Sequence, residues 1–238
     1  MPEAALQFDK VVKSYARQRV LNDVSFNVDA GEFFGLVGVN GAGKTSLIKS
    51  LLDFSAIDSG AIQIFGVDHR LPAARARLAY LPERFLPPHY LKGRDFLQYM
   101  ARLHGGAFHE ARVAQMFATL DLDETALTKS VRDYSKGMAQ KLGLAACFLS
   151  GKDVFVLDEP MSGLDPKARA LLKNYLQQLK AAGKTLFFST HMLADVEALC
   201  DRIAILHGGV LRFIGSPQEC CARFKAANLE QAYLACIE

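Results

Sequence analysis

No stretch of this 238-residue chain approaches the roughly 18–20 apolar residues needed to cross a bilayer. The chain by itself is therefore not expected to form a membrane pore. Excess charge of one sign is also missing. The 28 Lys and Arg nearly balance 25 Asp and Glu, a net +3, which argues against binding to nucleic-acid phosphates. Cysteine pairing is not signalled either. Cys147, Cys200, Cys220, Cys221 and Cys236 are odd in number, show no C-x-x-C and include an adjacent pair. That pattern reads as reduced thiols in a cytosolic protein, with neither a disulfide framework nor a zinc site. His109-Glu110 lacks the second histidine of a zinc-protease motif. The N-terminal stretch, Met1 to Lys10, carries Glu3 and Asp9 without an apolar centre, so a secretory signal is not expected.

What is present is the composition of a globular protein, with 50% hydrophobic and 22% charged residues. The length suits one domain or somewhat more. Short β-type runs alternate with helical stretches. Strands are expected at Val24–Val28, Phe33–Gly38, Ala61–Phe65, Val154–Leu157, Thr185–Ser189, Ile203–Leu206 and Val210–Ile214. Val154-Phe155-Val156-Leu157 is apolar at every position, as in a strand of a parallel sheet covered on both faces. Helices are expected after Gly43, over Arg94–His104, Glu110–Leu120, Lys136–Leu149 and Pro166–Ala182, and after His191. From about Leu86 to Leu149 no strand is convincing, so residues 86–149 read as a helical subdomain inserted into an α/β core. Residues 217–238 read as a short helical tail.

One segment carries a specific chemistry. Gly38-Val39-Asn40-Gly41-Ala42-Gly43-Lys44-Thr45 fits G-x-x-x-x-G-K-[ST] between a predicted strand and a predicted helix. Glycines let consecutive amide N–H groups curl around an anion, and the helix adds its positive end. Lys44 is suited to the β- and γ-phosphates of a nucleotide, the Thr45 hydroxyl to Mg²⁺, and Ser46 continues the cradle. The glycines are not spaced G-x-G-x-x-G, which disfavours a dinucleotide. About 110 residues later the apolar strand ends in Asp158-Glu159. Asp158 there can serve the Mg²⁺ shell, and Glu159 can orient or deprotonate an attacking water.

Further motifs follow in order: Tyr134-Ser135-Lys136-Gly137-Met138, then Asp158-Glu159, Ser162-Gly163-Leu164-Asp165 and Ser189-Thr190-His191. With the phosphate loop, this series resembles the nucleotide-binding subunit of an ATP-binding cassette (ABC) transporter, from about Leu6 to Gly215. The resemblance implies a P-loop NTPase α/β fold with a mixed, mainly parallel sheet, an antiparallel β subdomain and an inserted helical subdomain. It places the cassette at residues 1–216. It also implies ATP and Mg²⁺ as ligands, with Tyr15 stacking on adenine and Glu83 where the family usually has a Gln that contacts Mg²⁺ or the attacking water, so that Glu83 either joins the Mg²⁺ shell or serves as a hinge to the helical subdomain. Asp165 falls at the seam between two subunits, and His191 becomes the γ-phosphate switch. The signature departs from Leu-Ser-Gly-Gly-Gln, because Tyr134, Lys136 and Met138 replace Leu, Gly and Gln. Ser135 and Gly137 remain to meet a γ-phosphate. Lys136 either adds charge there or points into solvent. The variant resembles exporter-type cassettes.

In the family, two cassettes pack head to tail, so that ATP on one faces Ser135–Gly137 of the other. The expected partners are thus a second copy or a homologous cassette, and an integral membrane permease. No nucleic acid is expected. The protein is placed in the cytoplasm, peripheral on the cell membrane. The run from Arg84 to Leu91 is the expected docking loop. The main rival is a soluble ABC ATPase acting on DNA or ribosomes. The single phosphate loop, the lack of heptads and the near-neutral charge disfavour it. A GTPase is disfavoured because no Asn is followed by Lys.

Overall fold

The computed structural model describes residues 3–238, so the reading of the N-terminal stretch extends to structure only from Glu3 onward, and Met1 and Pro2 lie outside the described residues. The chain opens with two long strands, β1 (Ala4–Tyr15) and β2 (Gln18–Asp29), followed by β3 (Phe33–Val37) and α1 (Lys44–Leu51). Next come β4 (Ser59–Ile64), the two-residue β5 (Val67–Asp68), the one-turn α2 (Pro72–Arg75) and β6 (Leu78–Leu81). Helices α3 (Gly93–Leu103), α4 (Glu110–Thr119) and α5 (Lys136–Leu149) fill the middle of the chain, with two 3-10 turns between α4 and α5. The second half alternates β7 (Val154–Asp158), α6 (Pro166–Ala181), β8 (Thr185–Thr190), α7 (Leu193–Leu199), β9 (Arg202–His207) and β10 (Val210–Gly215). It ends on α8 (Pro217–Arg223) and α9 (Leu229–Ile237).

Two sheets form. One is a four-stranded antiparallel sheet in the order β2-β1-β4-β5; the other has six strands in the order β10-β9-β3-β8-β7-β6. The larger sheet is parallel except for β10, which runs antiparallel to β9 at one edge. All seven expected strands appear, and two substantial ones were not anticipated. In β1 the alternation of buried and exposed residues is broken by bulges, with Lys10 at a φ of 48° and a register shift between Phe8 and Val11. A bulge moves later side chains to the other face, which erases the period-two signal. Strand β6 has only four residues, too short for periodicity, and exists because Leu78–Leu81 pairs with Val154–Leu157.

The core strands are covered on both faces. Phe33, Phe155, Leu157 and Phe188 point into one core, shared with the helical region and α6. Phe34, Val154, Val156 and Phe187 point into the other, under the antiparallel sheet. Successive side chains therefore alternate between two apolar layers, which is why the centres of these strands are apolar at consecutive positions and polar residues such as Thr185, Ser189 and Asp158 stand only toward their ends. Aromatic rings join the second layer. Phe8 stacks on Phe26 at 4.4 Å and Phe26 on Phe34 at 5.2 Å, with Phe187 about 6 Å from all three. Truncating Phe187 opens a cavity at the junction of the two sheets. Phe187→Ala is expected to lower stability by about 3–5 kcal/mol in urea unfolding. A loss below about 1 kcal/mol would show that the cluster does not hold the sheets together.

Candidate functional site

The carboxyl ends of β3, β8 and β7 lie side by side in the larger sheet, and each leads into a polar segment. After β3 come Gly38–Gly43 and α1; β7 ends at Asp158 and β8 at Thr190. In an open α/β sheet this edge is where a ligand meets loops and helix N-termini together. Gly41 and Gly43 have φ of 84° and 112°, a region L side chains avoid. A Cβ on Gly43 would also fall 2.8 Å from the Val20 carbonyl oxygen, so the loop closes against β2 only because this position is glycine.

The polar side chains form one connected group. Lys44 is buried, and its Nζ donates to the carbonyls of Gly38 at 2.6 Å and Val39 at 3.3 Å. The same ammonium lies 3.6 Å from Glu159 Oε1. Thr45 Oγ1 donates to Asp158 Oδ2 at 3.0 Å, and the Ser189 hydroxyl donates to Asp158 Oδ1. Ser189 also accepts from the Glu159 amide, through its hydroxyl at 3.1 Å and its carbonyl at 3.2 Å. These bonds hold Glu159 at a φ of 50° at the end of β7. His191 Nδ1 stands 3.0 Å from Glu159 Oε2, with the ring half exposed. Glu159 Oε1 is buried and makes no hydrogen bond among the described residues. A buried carboxylate oxygen in that state is poised to accept a proton-bearing partner.

A cavity of about 360 Å³ is lined by Val39, Asn40, Gly41, Gly43, Lys44, Thr45, Ser46, Glu83 and Glu159, with Val20 from β2. The residues fit a triphosphate. Amides and Lys44 line the wall, and Gly41 has nothing within 4 Å of where a Cβ would be. They also fit Mg²⁺, because the Thr45 hydroxyl and the Asp158 carboxylate supply hard oxygen donors. Among the described residues no cluster of three His, Cys, Asp or Glu could hold a metal. Phosphate oxygens and water would therefore complete the shell, as is usual for Mg²⁺. Tyr15 lies at the end of β1 beside the loop helix, 44% exposed, with its hydroxyl 3.2 Å from Ser55 Oγ. That hydrogen bond, with lesser help from Ser46 and the Lys13 and Lys49 charges, lowers its pKa despite partial burial.

Ser135, Lys136, Gly137 and Asp165 do not line this cavity. Ser135 caps α5 by accepting from the Met138 amide at 3.2 Å, and Asp165 caps α6 by accepting from Ala168 at 2.9 Å. Lys136 does not extend freely into solvent. Its Nζ donates to Ser162 Oγ at 3.3 Å, and its methylenes lie over Gly163. Tyr134 anchors the segment: its hydroxyl donates to the Ala126 carbonyl at 2.5 Å, and burial pushes its pKa up to about 12. Ser189 and Val20 carried no role in the sequence reading. Ser189 matters because parallel pairing sets it opposite Asp158, a register invisible until the strands are paired.

Fold and site together define a P-loop nucleotide-binding protein. Residues 21–162 match the ABC transporter family, so the chain belongs to that family. It is 42% identical over 202 residues to an uncharacterized ABC transporter ATP-binding protein of Synechocystis, covering 84% of this chain but only 57% of that relative. It is 38% identical to the Nod factor export ATP-binding protein I of Paraburkholderia xenovorans, covering 91% of this chain and 72% of the relative. A solved ATP-binding subunit of an ABC transporter superposes with a TM-score of 0.89 at 32% identity, over 98% of this chain and 99% of that one. A dimeric ATP-binding cassette bound to ADP and Pi shares the fold, with a TM-score of 0.81 at 19% identity, over 89% of this chain and 98% of that one.

Removing the Ser189 hydroxyl strips one hydrogen bond from the buried Asp158 and one acceptor from the Glu159 amide. Ser189→Ala is expected to destabilise the protein by about 1–3 kcal/mol in urea unfolding, since buried polar groups lose partners. Unchanged stability would mean that this bridge does not hold the two carboxylates.

Proposed function

We propose that the chain binds and hydrolyses ATP to power transport of a substrate through a separate membrane permease, in the export direction. The observation that carries this reading is the contiguity of Lys44, Thr45, Asp158, Glu159 and His191 at one sheet edge. The amides of residues 38–46 and Lys44 hold the phosphates, and Tyr15 stacks on the adenine. Thr45 and Asp158, with Glu83 at the far wall, would hold Mg²⁺, which supplies positive charge to the phosphates when bound. Glu159 orients water and takes its proton as the water oxygen bonds to the γ-phosphorus and the bond to the ADP oxygen breaks. His191 holds Glu159 in line and responds to the γ-phosphate.

The placement of Ser135, Lys136, Gly137 and Asp165 away from the cavity supports a site completed by a second cassette. One protomer's loop would face its partner's signature across ATP, so that the nucleotide joins two copies or two homologous cassettes. Glu83 also lines a second groove of about 530 Å³, running past Phe85, Leu86, His89, Tyr134 and Lys136. Leu86 and Tyr90 are 87% and 77% exposed at this groove's loop, apolar area suited to a permease segment. Export is favoured by the Lys136 signature and by the likeness to the Nod factor export ATP-binding protein I of Paraburkholderia xenovorans. Among the described residues no helix is long and apolar enough to cross a membrane, which fits a subunit seated on the cytoplasmic face by its permease. In this reading residues 1–216 form the cassette, 86–149 its helical part, and 217–238 an appended tail. Nucleic acid plays no part.

Glu159→Gln is expected to keep ATP binding, to lower kcat by about 100-fold or more, and to elute as an ATP-held dimer. Turnover at the wild-type rate would exclude Glu159 from the reaction. The protein is also expected to fractionate with membranes and a hydrophobic subunit; recovery only with ribosomes or DNA would replace the transport reading with its rival.

A further inference from the structure

Helix α7 buries Val196 and Leu199 in the apolar core, yet its first turn also buries a carboxylate, Asp195. Asp195 Oδ1 lies 2.7 Å from the ammonium of Lys173, on α6. Its other oxygen, Oδ2, is buried and accepts no hydrogen bond among the described residues. Lys173 is the one basic side chain within ion-pair distance of Asp195 among the described residues. Packing alone gives no reason for this pair, because apolar side chains of similar volume often serve a buried contact as well or better. What the charged contact adds is a single geometry. Val196 and Leu199 can turn or slide within an apolar layer at small cost, whereas the ion pair fixes the rotation of α7 against α6.

That rotation bears on the residues just before α7. The Asp195 amide donates to the Met192 carbonyl at 3.1 Å, and the Met192 amide donates to Thr190 Oγ1 at 3.0 Å. Thr190 is buried at the end of β8. His191 stands between these two ties, four residues before Asp195. Its half-exposed ring meets Glu159 Oε2 at 3.0 Å and no other acidic side chain among the described residues. The end of β8 thus holds one side of the turn, and the Asp195–Lys173 pair holds the other side to α6. Lys173 itself does not line the cavity at the phosphate loop.

We propose that Lys173, acting through Asp195, is a positioning residue for His191: the pair fixes the turn that carries the imidazole and so keeps the ring on Glu159. Loss of the pair leaves the phosphate loop intact and frees the ring to leave the carboxylate. This rests on the reading that His191 and Glu159 act on the nucleotide.

The test removes both charges together, since Lys173→Met alone would leave a buried carboxylate unpaired and unfold the protein more easily. The double variant Lys173→Met/Asp195→Leu is expected to keep a Tm close to that of wild type and to bind Mg·ADP as tightly. Its kcat for ATP is expected to fall about ten-fold or more, the scale set by a misplaced group at the reacting centre. In the nucleotide-free protein the imidazole resonance of His191, assigned by its loss in His191→Ala, is expected to move in the double variant. A merely structural pair would return kcat together with Tm and leave that resonance in place. A wild-type kcat, an unmoved His191 resonance, or a Tm that stays low would each overturn the assignment to Lys173, while His191→Ala still lowers kcat. Turnover at the wild-type rate in His191→Ala would overturn the reading beneath it as well.

Discussion

Two adjacent carboxylates, Asp158 and Glu159, are 1% and 8% exposed at the end of a strand that is otherwise wholly apolar. Burying a carboxylate is costly unless charge or hydrogen bonds replace its water. Much of the functional edge can be understood as meeting that requirement. Thr45 and Ser189 satisfy Asp158, the Lys44 ammonium approaches Glu159 from one side, and His191 from the other. The elements that carry these groups, α1 and the ends of β7 and β8, must therefore meet at one point. The same contacts leave Glu159 on the wall of the cavity at the phosphate loop.

Rigidity for that arrangement comes from the two apolar layers around the larger sheet. With Phe187 and Phe188 directed to opposite cores, β8 is held against sliding, since a one-residue slip would exchange its buried faces. That fixed register is what sets Ser189 beside Asp158. Gln140 extends the connection into the helical region, where its buried amide donates to the Pro160 carbonyl at 3.1 Å. The segment that directly follows the two carboxylates is thus tied to α5.

The departures from the usual ABC signature have local physical accounts. Tyr134 offers a ring for packing and a hydroxyl for Ala126, and Gly93 makes room for it, since a Cβ there would lie 2.2 Å from the phenolic oxygen. Lys136 is ordered over Gly163 instead of waving in solvent, so the helix start carries a cation with no acidic residue in its first turn. That leaves strong positive potential on the face proposed to meet a nucleotide on the partner. Glu83 lines both the phosphate cavity and the neighbouring groove, which suits a residue linking the two.

The sequence by itself determined the phosphate loop and most of the elements. The phosphate loop, Asp158-Glu159 and the apolar β7 are local patterns, because anion binding and two-sided burial impose composition on consecutive residues. It also located every side chain of the Lys44–Thr45–Asp158–Glu159–His191 group. Tertiary structure decided what depends on pairing between distant segments. Bulged β1 and short β6 became strands only through partners, and Ser189 became a hydrogen-bond partner of Asp158 only through register. These contacts join residues as far apart in the chain as Leu78 and Val154, and no spacing rule within one segment encodes them. Likewise, the separation of Ser135 and Asp165 from the cavity is a property of the folded surface, fixed by where α5 and α6 begin.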